Sequence, residues 1–520
     1  MTTTQDPAAG TAASTRAVMD RRQVLQALSG LMMGVFVAIL AGTVVSNALP
    51  TIISDLGGSQ SVYTWVVTAE LLAMTTTVPL WGKLADLFSQ KLLVQSSLGL
   101  FVVGSLASGF AQDTTMLIAA RVVQGIGAGG LTALVQIVMA AMIPPRELGR
   151  YAGIFGAVFA VGTVAGPLIG GVLVDTSWLG WRWCFFIGVP FALLAIVLLQ
   201  KTLKLAQVKR TGVRVDWSGA LLITAGVSML LIWVTLAGNS YEWVSAPSAL
   251  LVLGGLAVLG LAVWVESRVA DPVVPLTIFR NRTVALTVVA SALVGIALFG
   301  GTVFLSQYFQ VSLGYSPTAA GLLSLPMIAG LLVSSTVAGQ LITRTGLWKR
   351  YLVTGAALMT VGFGLLATIG ADTSIVLIGV YMLVMGAGVG MLMQNLVLAA
   401  QNDVPAAQLG SATSVLSFFR SLGGTIGVSV LGAVLAARVS SDLGALGGGG
   451  SGEAAVPDVS TLPPEVQTVV QTAYGNATAE LFLIATPLAA LALLVVLFVK
   501  EKPLKTTTGA QRLEEERAAS

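Results

Sequence analysis

Long apolar runs recur along nearly the whole chain, and each has about the length that a helix needs to cross a bilayer. Covering roughly 30 Å of hydrocarbon takes about 20 residues of α-helix. Because a backbone in lipid must satisfy its own hydrogen bonds, the sequence predicts an all-α polytopic membrane protein. We count fourteen such runs, at residues 28–49, 62–81, 92–111, 115–141, 151–174, 182–200, 218–237, 248–266, 284–309, 318–342, 351–370, 374–400, 411–436 and 479–499.

Lysine and arginine residues fall mainly before the first run and after every second run. Short loops rich in these residues stay in the cytoplasm, so we expect both termini to be cytoplasmic. The net charge of +4 then follows from topology, and it predicts no nucleic-acid partner. Only Arg182 and Arg438 fall on the opposite side, and Arg121 and Arg420 lie within runs.

A short motif occurs twice and divides the chain into two related halves. Residues 82–91 and 339–350 both begin with glycine, carry leucine two positions later and end on a basic residue. Such repeats are typical of secondary transporters, whose binding sites lie between the halves near the midplane. The predicted organisation is a cytoplasmic tail (1–27), a six-helix bundle (28–200), a linker with spans seven and eight (201–282), a second six-helix bundle (283–499) that includes an irregular extracytoplasmic loop (438–478), and a second cytoplasmic tail (500–520).

One acidic side chain, Glu70, lies near the middle of the second apolar run. Insertion scales place the cost of such an acid at roughly 2.5–3.5 kcal/mol, so intramembrane acids usually face the protein interior and act there. Glu70 therefore indicates ion-coupled transport. The alternative is a neutral glutamic acid that is hydrogen-bonded in the core.

The fourth run carries Arg121, and helical spacing places Gln124, Gly125 and Ala128 on the same face. A guanidinium buried there needs a carboxylate or another hydrogen-bonding partner, and Glu70 is the candidate carboxylate. The alternative is a structural arginine that is satisfied by backbone carbonyls.

The fifth run contains glycine at every fourth position, at Gly162, Gly166 and Gly170, with Pro167 between them. Small residues at this spacing let another helix approach closely in a membrane. Proline removes one backbone hydrogen bond and bends a helix. The run therefore predicts a bent helix with a smooth packing groove.

Taken together, these segments resemble the major facilitator superfamily, and the fourteen spans resemble its drug:proton antiporter branch. Residues 82–91 are similar to the family's cytoplasmic loop motif, 117–130 to its fourth-helix motif, 162–171 to its fifth-helix antiporter motif and 43–50 to the signature that ends the first helix. The resemblance covers about residues 28–500. It implies two six-helix bundles with two inserted central helices.

The resemblance also implies roles for individual residues. Asp86, in the loop motif with Gly82 and Lys91, would lock the two bundles together on the cytoplasmic side. Arg121 would tune the protonation of a neighbouring acid. The glycines at 162, 166 and 170, with Pro167, would form the interface over which the bundles rock.

Two departures from the family pattern affect this transfer. Ala41 stands where many relatives carry an aspartate that takes up protons, which increases the weight on Glu70. Ser89 and Gln90 replace the usual glycine and arginine of the loop motif.

Polar and aromatic residues on spans that normally line the bundle interface are the candidate substrate contacts. Aromatic faces favour flat or cationic lipophilic ligands. The candidates are Thr43, Ser46 and Asn47 on the first span, Gln124 on the fourth, Phe304, Gln307 and Tyr308 on the ninth, Gln394 and Asn395 on the twelfth, and Phe418, Phe419 and Arg420 on the thirteenth.

The energy source is predicted to be an ion gradient. The chain has no GxxxxGK[ST] sequence, no histidine and a single cysteine, Cys184, so we expect no ATP hydrolysis, metal or other cofactor. The predicted function is proton-coupled export of lipophilic or cationic compounds, and the alternative is export of a lipid or cell-envelope metabolite. An enzyme or sensor is disfavoured because clustered histidine and paired acids are missing. The expected setting is a bacterial plasma membrane, with lipids, protons and small lipophilic substrates as partners of a monomer.

Overall fold

The computed structural model describes residues 21–57, 60–176, 179–203, 216–237, 241–269, 271–445 and 464–518. Within these ranges the chain is almost entirely helical and forms no β-strand. The helices are α1 (Arg21–Asp55), α2 (Gln60–Leu87), α3 (Gln90–Gly109), α4 (Thr114–Met142), α5 (Pro145–Asp175), α6 (Trp183–Phe186), α7 (Gly188–Thr202), α8 (Trp217–Leu236), α9 (Ala246–Glu266), α10 (Arg282–Gln307), α11 (Pro317–Leu323), α12 (Leu325–Thr345), α13 (Lys349–Leu366), α14 (Ile375–Asp403), α15 (Leu409–Ala445), α16 (Pro464–Leu497) and α17 (Gly509–Ala518).

These helices confirm the predicted all-α membrane fold. Eleven stretches of the described residues are long and apolar enough to cross a bilayer, and α2, α5 and α13 coincide with the three other predicted spans. Two predicted spans are interrupted helices: α6 meets α7 at Ile187, and α11 meets α12 at Ser324.

Helices α1–α7 form one bundle and α10–α16 form another, each with its own buried apolar clusters. The bundles meet mainly where α2 packs on α15 and α5 packs on α12. Gly82 makes the first contact possible, because a Cβ there would lie 2.0 Å from Ser414 Oγ. Helices α8 and α9 pack on each other, and α8 lies against both α2 and α15.

The loop predicted at 438–478 is partly wrong. Helix α15 continues to Ala445 and α16 already begins at Pro464, while residues 446–463 lie outside the described ranges. Proline is compatible with the first turn of a helix, where its missing N–H has no intrahelical partner. The early turns of α16 are also buried, since Val470 and Tyr474 pack in one cluster with Phe304 of α10.

The glycine-rich stretch of α5 packs within its own bundle. A Cβ at Gly162 would lie 2.9 Å from Ile39 Cγ2, and one at Gly166 would lie 2.0 Å from Thr43 Oγ1, both on α1. Another part of α5 meets the second bundle, where a Cβ at Gly153 would lie 2.2 Å from Thr336 Oγ1. The prediction that Gly162 and Gly166 line the boundary between the bundles is therefore wrong. Gly170 is buried, α5 continues through position 167, and the side chain of Pro167 lies outside the described part.

One end of the molecule collects loops and helix ends that carry many basic residues, such as Lys91, Arg146, Lys349 and Lys505, and we call it the basic face. It comprises the α2–α3, α4–α5, α12–α13 and α14–α15 connections and residues 498–518. The tail predicted at 500–520 contains a helix, α17, which the apolar pattern did not indicate. Thr508 and Gln511 start it with reciprocal bonds, Gln511 N to Thr508 Oγ1 at 3.2 Å and Thr508 N to Gln511 Oε1 at 2.9 Å, which is the capping-box arrangement.

Close packing of α3 on α4 gives a stability prediction. A Cβ at Gly104 would lie 2.4 Å from Gln124 N, whereas one at Gly99, on the same helix, meets nothing within 4 Å. We expect Gly104→Ala to destabilise the purified protein by about 1–3 kcal/mol through overpacking. Gly99→Ala should be neutral or slightly stabilising, because alanine is the better helix former. Thermal unfolding in detergent compares them, and equal midpoints for the two variants would contradict the packing.

Candidate functional site

Two helices of the first bundle, α2 and α4, approach closely because glycine lines the face of α4. A Cβ at Gly125 would lie 2.4 Å from the carbonyl oxygen of Glu70, and one at Gly129 would lie 2.5 Å from that of Met74. Arg121 stands one turn before Gly125 on the same face. The small residues thus bring the guanidinium of α4 beside the carboxylate of α2.

Glu70 and Arg121 form a buried ion pair. Arg121 Nη2 donates to Glu70 Oε2. The side chain of Glu70 is 11% exposed and that of Arg121 is 3% exposed. Arg121 Nη1 also donates to Gln124 Oε1 at 2.9 Å, and its Nε faces the carbonyl oxygen of Val66 at 3.5 Å. The guanidinium therefore has one carboxylate and two neutral acceptors as partners. The sequence left open whether Arg121 pairs with a carboxylate or with backbone carbonyls, and the structure shows both kinds of partner.

The amide of Gln124 extends this chain to α3. Its Nε2 donates to Ser105 Oγ at 3.0 Å, and both residues are buried. Because the serine oxygen receives the amide nitrogen, the amide oxygen is left to face Arg121. Gln124 thus positions the guanidinium, and its prediction as a substrate contact is wrong. Ser105 was missed, although a hydroxyl in the apolar third run was a signal.

The carboxylate of Glu70 neutralises the charge of Arg121 inside the first bundle. Within the described residues, no group of three or more cysteine and acidic side chains is arranged to hold a metal ion.

Asp86 lies at the basic face, where α2 meets the N-terminus of α15. Its carboxylate accepts from Gly410 N at 2.8 Å, Ser411 N at 2.9 Å and Ser411 Oγ at 2.6 Å. Unpaired N–H groups and the helix dipole make a helix N-terminus favourable for an anion. This contact joins the two bundles, as the resemblance implied. The gating role of Asp86 stays a prediction.

The other two loop-motif residues have different contacts. Gly82 adjoins Ser414 of the opposite bundle, as described above. Lys91 instead donates from Nζ to the carbonyl oxygen of Gln200 at 2.7 Å. Lys91 therefore braces α3 against α7 within the first bundle.

A narrow cleft with a volume of about 30 Å³ lies between the bundles in the half near the basic face. Its lining combines amide and apolar side chains and includes no charged residue. Gln401 Nε2 crosses it toward the carbonyl oxygen of Gln136 at 3.4 Å. Neither glutamine was predicted, although Gln136 is a polar residue in the fourth apolar run and Gln401 directly follows the twelfth. The lining residues are Gln136, Met139, Leu148, Phe155, Gln394, Asn395, Val397, Leu398 and Gln401.

Two predicted substrate contacts, Gln394 and Asn395, line this cleft. Gln307, Phe419 and Arg420 are half-buried outside it, and no hydrogen bond or ion pair to the Arg420 guanidinium occurs among the described residues. The side chains of Ser46 and Asn47 lie outside the described part.

Three other predicted contacts pack within a single bundle, so those predictions are wrong. Thr43 Oγ1 donates to the carbonyl of Gly162 at 3.2 Å, between α1 and α5. Phe304 and Tyr308 are buried in the second bundle, and Tyr308 donates to the carbonyl of Gly370 at 2.8 Å. Phe418 of α15 is buried against the apolar core of the first bundle, at the boundary between the bundles, and its contact with substrate stays a prediction. The helices are apolar on every face, so the type of a side chain did not reveal which face it occupies.

Comparison with known proteins identifies the family of this two-bundle fold. The family model described as Major Facilitator Superfamily matches residues 31–428. The chain belongs to the major facilitator superfamily. Members of this family are transporters rather than enzymes, which confirms the prediction that the chain is not an enzyme.

Several curated relatives extend the likeness over most of the chain. An uncharacterized MFS-type transporter of Mycobacterium tuberculosis is 37% identical over 93% of this chain and 70% of its own length. The multidrug transporter protein MdtP of Bacillus subtilis is 35% identical over 79% of this chain and 75% of its own length. Multidrug resistance protein 3 of the same species is 30% identical over 92% and 95% of the two chains.

Solved structures support the fold. The proton:xylose symporter XylE superposes with a TM-score of 0.65 at 16% identity. The superposition covers 95% of the present chain and the whole of XylE. At this identity the likeness concerns the architecture alone.

The ion pair predicts a stability defect when one partner is removed. Arg121→Gln leaves Glu70 buried without its cation, and breaking a buried pair in this way costs about 3–5 kcal/mol. We expect the thermal midpoint of the purified variant to fall well below that of the wild type.

The double variant Glu70→Gln/Arg121→Gln is the matched control, since it removes both charges. It should lose less stability than the two single variants together. Additive losses in the double variant would contradict the pairing.

Proposed function

We propose that this transporter exports lipophilic compounds, cationic ones among them, in exchange for protons. The observation that carries the proposal is the buried pair of Glu70 and Arg121. An intramembrane acid with a permanent cation as its partner is suited to bind and release protons. The names of the relatives, multidrug transporter protein MdtP and multidrug resistance protein 3, support drug export.

Helix α2 connects the proton site to the contact between the bundles. Glu70 and Asp86 are separated by sixteen residues, about 24 Å along a helix axis. One acid faces α4 in its own bundle and the other faces α15 in the opposite bundle. A shift of α2 against α4 when Glu70 changes charge therefore moves the carboxylate that caps α15. This is the physical link through which proton binding would favour one arrangement of the bundles.

The described structure is closed at the basic face. Among the described residues, the hydrogen bonds between the bundles join this face or the adjoining half, including those of Asp86 and Gln401. From the concentration of lysine and arginine there, we infer that the basic face is cytoplasmic. The proposed location is a bacterial plasma membrane with both termini in the cytoplasm, supported by the bacterial relatives.

The lining of the cleft would suit a lipophilic cargo once the bundles part, since a volume of about 30 Å³ has no room for one in the closed arrangement. Apolar side chains would bury the cargo, and amides such as Gln136 and Gln394 would offer hydrogen bonds without fixing a charge. The same neutral lining also favours a second candidate, export of a lipid or a cell-envelope metabolite, because no carboxylate in the lining would select a cation.

Glu70→Gln tests the proposal directly. A glutamine cannot take up and release a proton, so we expect gradient-driven dye efflux to be lost while the protein still inserts in the membrane. A proton crossing 100 mV releases about 2.3 kcal/mol, so the coupled wild type should sustain roughly a fiftyfold dye gradient that the variant lacks. Dye uptake into everted vesicles, whose outer surface is the cytoplasmic side, measures the difference at matched expression.

The matched control is Glu480→Gln. Glu480 is also in the last predicted span, but it pairs with Arg438 where both side chains are substantially exposed, and such pairs contribute little. Its efflux should equal that of the wild type. Undiminished efflux in Glu70→Gln would refute proton coupling at Glu70, and labelled lipid moving without competition from dye would favour the second candidate.

A further inference from the structure

The C-terminal segment after α16 folds back across the basic face and touches both bundles. Residues 501–508 run along the second bundle, and α17 then lies over the place where Asp86 meets α15. Gly509, Ala510 and Leu513 of this segment line one pocket together with Asp86 and Ile137 of the first bundle and Leu409 of the second.

The segment is fastened to the second bundle by several polar contacts. Glu501 accepts from Trp348 N at 2.8 Å, and Asn402 receives Lys505 N at 2.8 Å on its side-chain oxygen. Arg512 is 4% exposed and donates to the carbonyl oxygens of Gln401, at 3.2 Å, and Val404. These carbonyls belong to the last turn of α14, where a cation is favoured by the helix dipole.

Helix α17 also holds the segment that leads into α15 at the basic face. Glu516 accepts from Ala406 N at 2.9 Å, just before α15 begins. Arg512 and Glu516 thus fix the short α14–α15 connection from both ends. The first turn of α15, which Asp86 caps, directly follows this connection.

The contacts with the first bundle are fewer and are mostly close packing. A Cβ at Gly509 would lie 2.9 Å from the carbonyl oxygen of Ala140, and 3.3 Å from Ala141 Cα, at the end of α4. Arg146 N, at the start of α5, donates to the carbonyl oxygen of Lys505 at 3.4 Å. These contacts can exist only while the ends of α4 and α15 stay together.

We propose that residues 501–518 are a latch that is carried by the second bundle and holds the basic face closed by docking on the ends of α4 and α5. Contacts that exist in one arrangement only must shift the equilibrium toward it. The latch therefore releases the first bundle each time the basic face opens. This inference rests on the two-bundle family fold and is independent of which ion or cargo is moved.

Cross-linking tests which bundle the latch follows. In a Cys184→Ala background, Ala510→Cys is paired either with Ala141→Cys of the first bundle or with Ala407→Cys of the second. All three alanines line the same pocket, so one short bis-methanethiosulfonate reagent, from which each cysteine thiolate displaces methanesulfinate, serves both pairs. The reagent is added after the protein has folded in the membrane, and transport of a fluorescent dye is measured before and after.

We expect the 510–141 cross-link to stop transport and the 510–407 cross-link to leave it unchanged. Continued transport with 510 and 141 joined would overturn the latch. Loss of transport with 510 and 407 joined would also overturn it, because α17 would then move relative to the second bundle as well. If every variant fails to transport dye before the reagent is added, the failure lies in proton coupling or in folding and not in the latch. The latch is then tested by thiol labelling, which needs no transport.

Thiol labelling tests the latch without any transport. Arg512→Gln removes the bonds to Gln401 and Val404, and a cysteine at position 141 then reports whether the face is covered. We expect its labelling by an impermeant maleimide in everted vesicles to rise by about tenfold, as loss of hydrogen bonds from a charged group implies. Glu514→Gln, at an exposed position of the same helix, is the control. Equal labelling in both variants would contradict the latch.

Discussion

The charge of Arg121 constrains the whole first bundle, because a guanidinium at this depth must have partners inside the protein. Glu70, Gln124 and the carbonyl of Val66 supply them. Glycine on α4 allows the two helices to come close enough for these bonds. The same packing also isolates the carboxylate of Glu70 from water. Arg121 then depends on Glu70 for its charged partner, because no water is available to replace it.

A second constraint acts at the basic face, where the bundles are held by the ends of helices. Asp86 occupies the N-terminus of α15, and Arg512 occupies the C-terminus of α14. Both bonds complement a helix dipole. The α14–α15 connection is therefore held from the first bundle and from the C-terminal segment at once. Opening this face must break the contacts of Asp86 with α15. Because α17 is fastened to the second bundle, its contacts with α4 would break as well.

The sequence predicted the fold well because membrane helices are long and uniformly apolar. Fourteen runs, a repeated loop motif and four family-like segments were sufficient for the two bundles. The same uniformity explains the errors at the site. On a helix that is apolar all round, nothing in residue type separates a face toward the cleft from a face toward a neighbour, so Thr43, Gln124 and Phe304 were assigned to the wrong surroundings.

Charged residues gave the more reliable signals, since their burial is costly and demands a partner. Glu70 and Arg121 were paired from sequence for this reason, and the structure places them in contact. Helix ends were predicted less well. The capping residues Thr508 and Gln511 carried the information for α17, and Pro464 is compatible with a helix start, but neither signal stands in an apolar run.

We propose that this transporter moves protons against cargo through Glu70. Such exchange can be followed as the internal pH of proteoliposomes that contain the purified protein and a trapped pH indicator. When a lipophilic cationic dye is added outside with no pre-formed gradient, we expect its entry to make the lumen alkaline. Dye entry with an unchanged internal pH would show that no proton is exchanged for the dye.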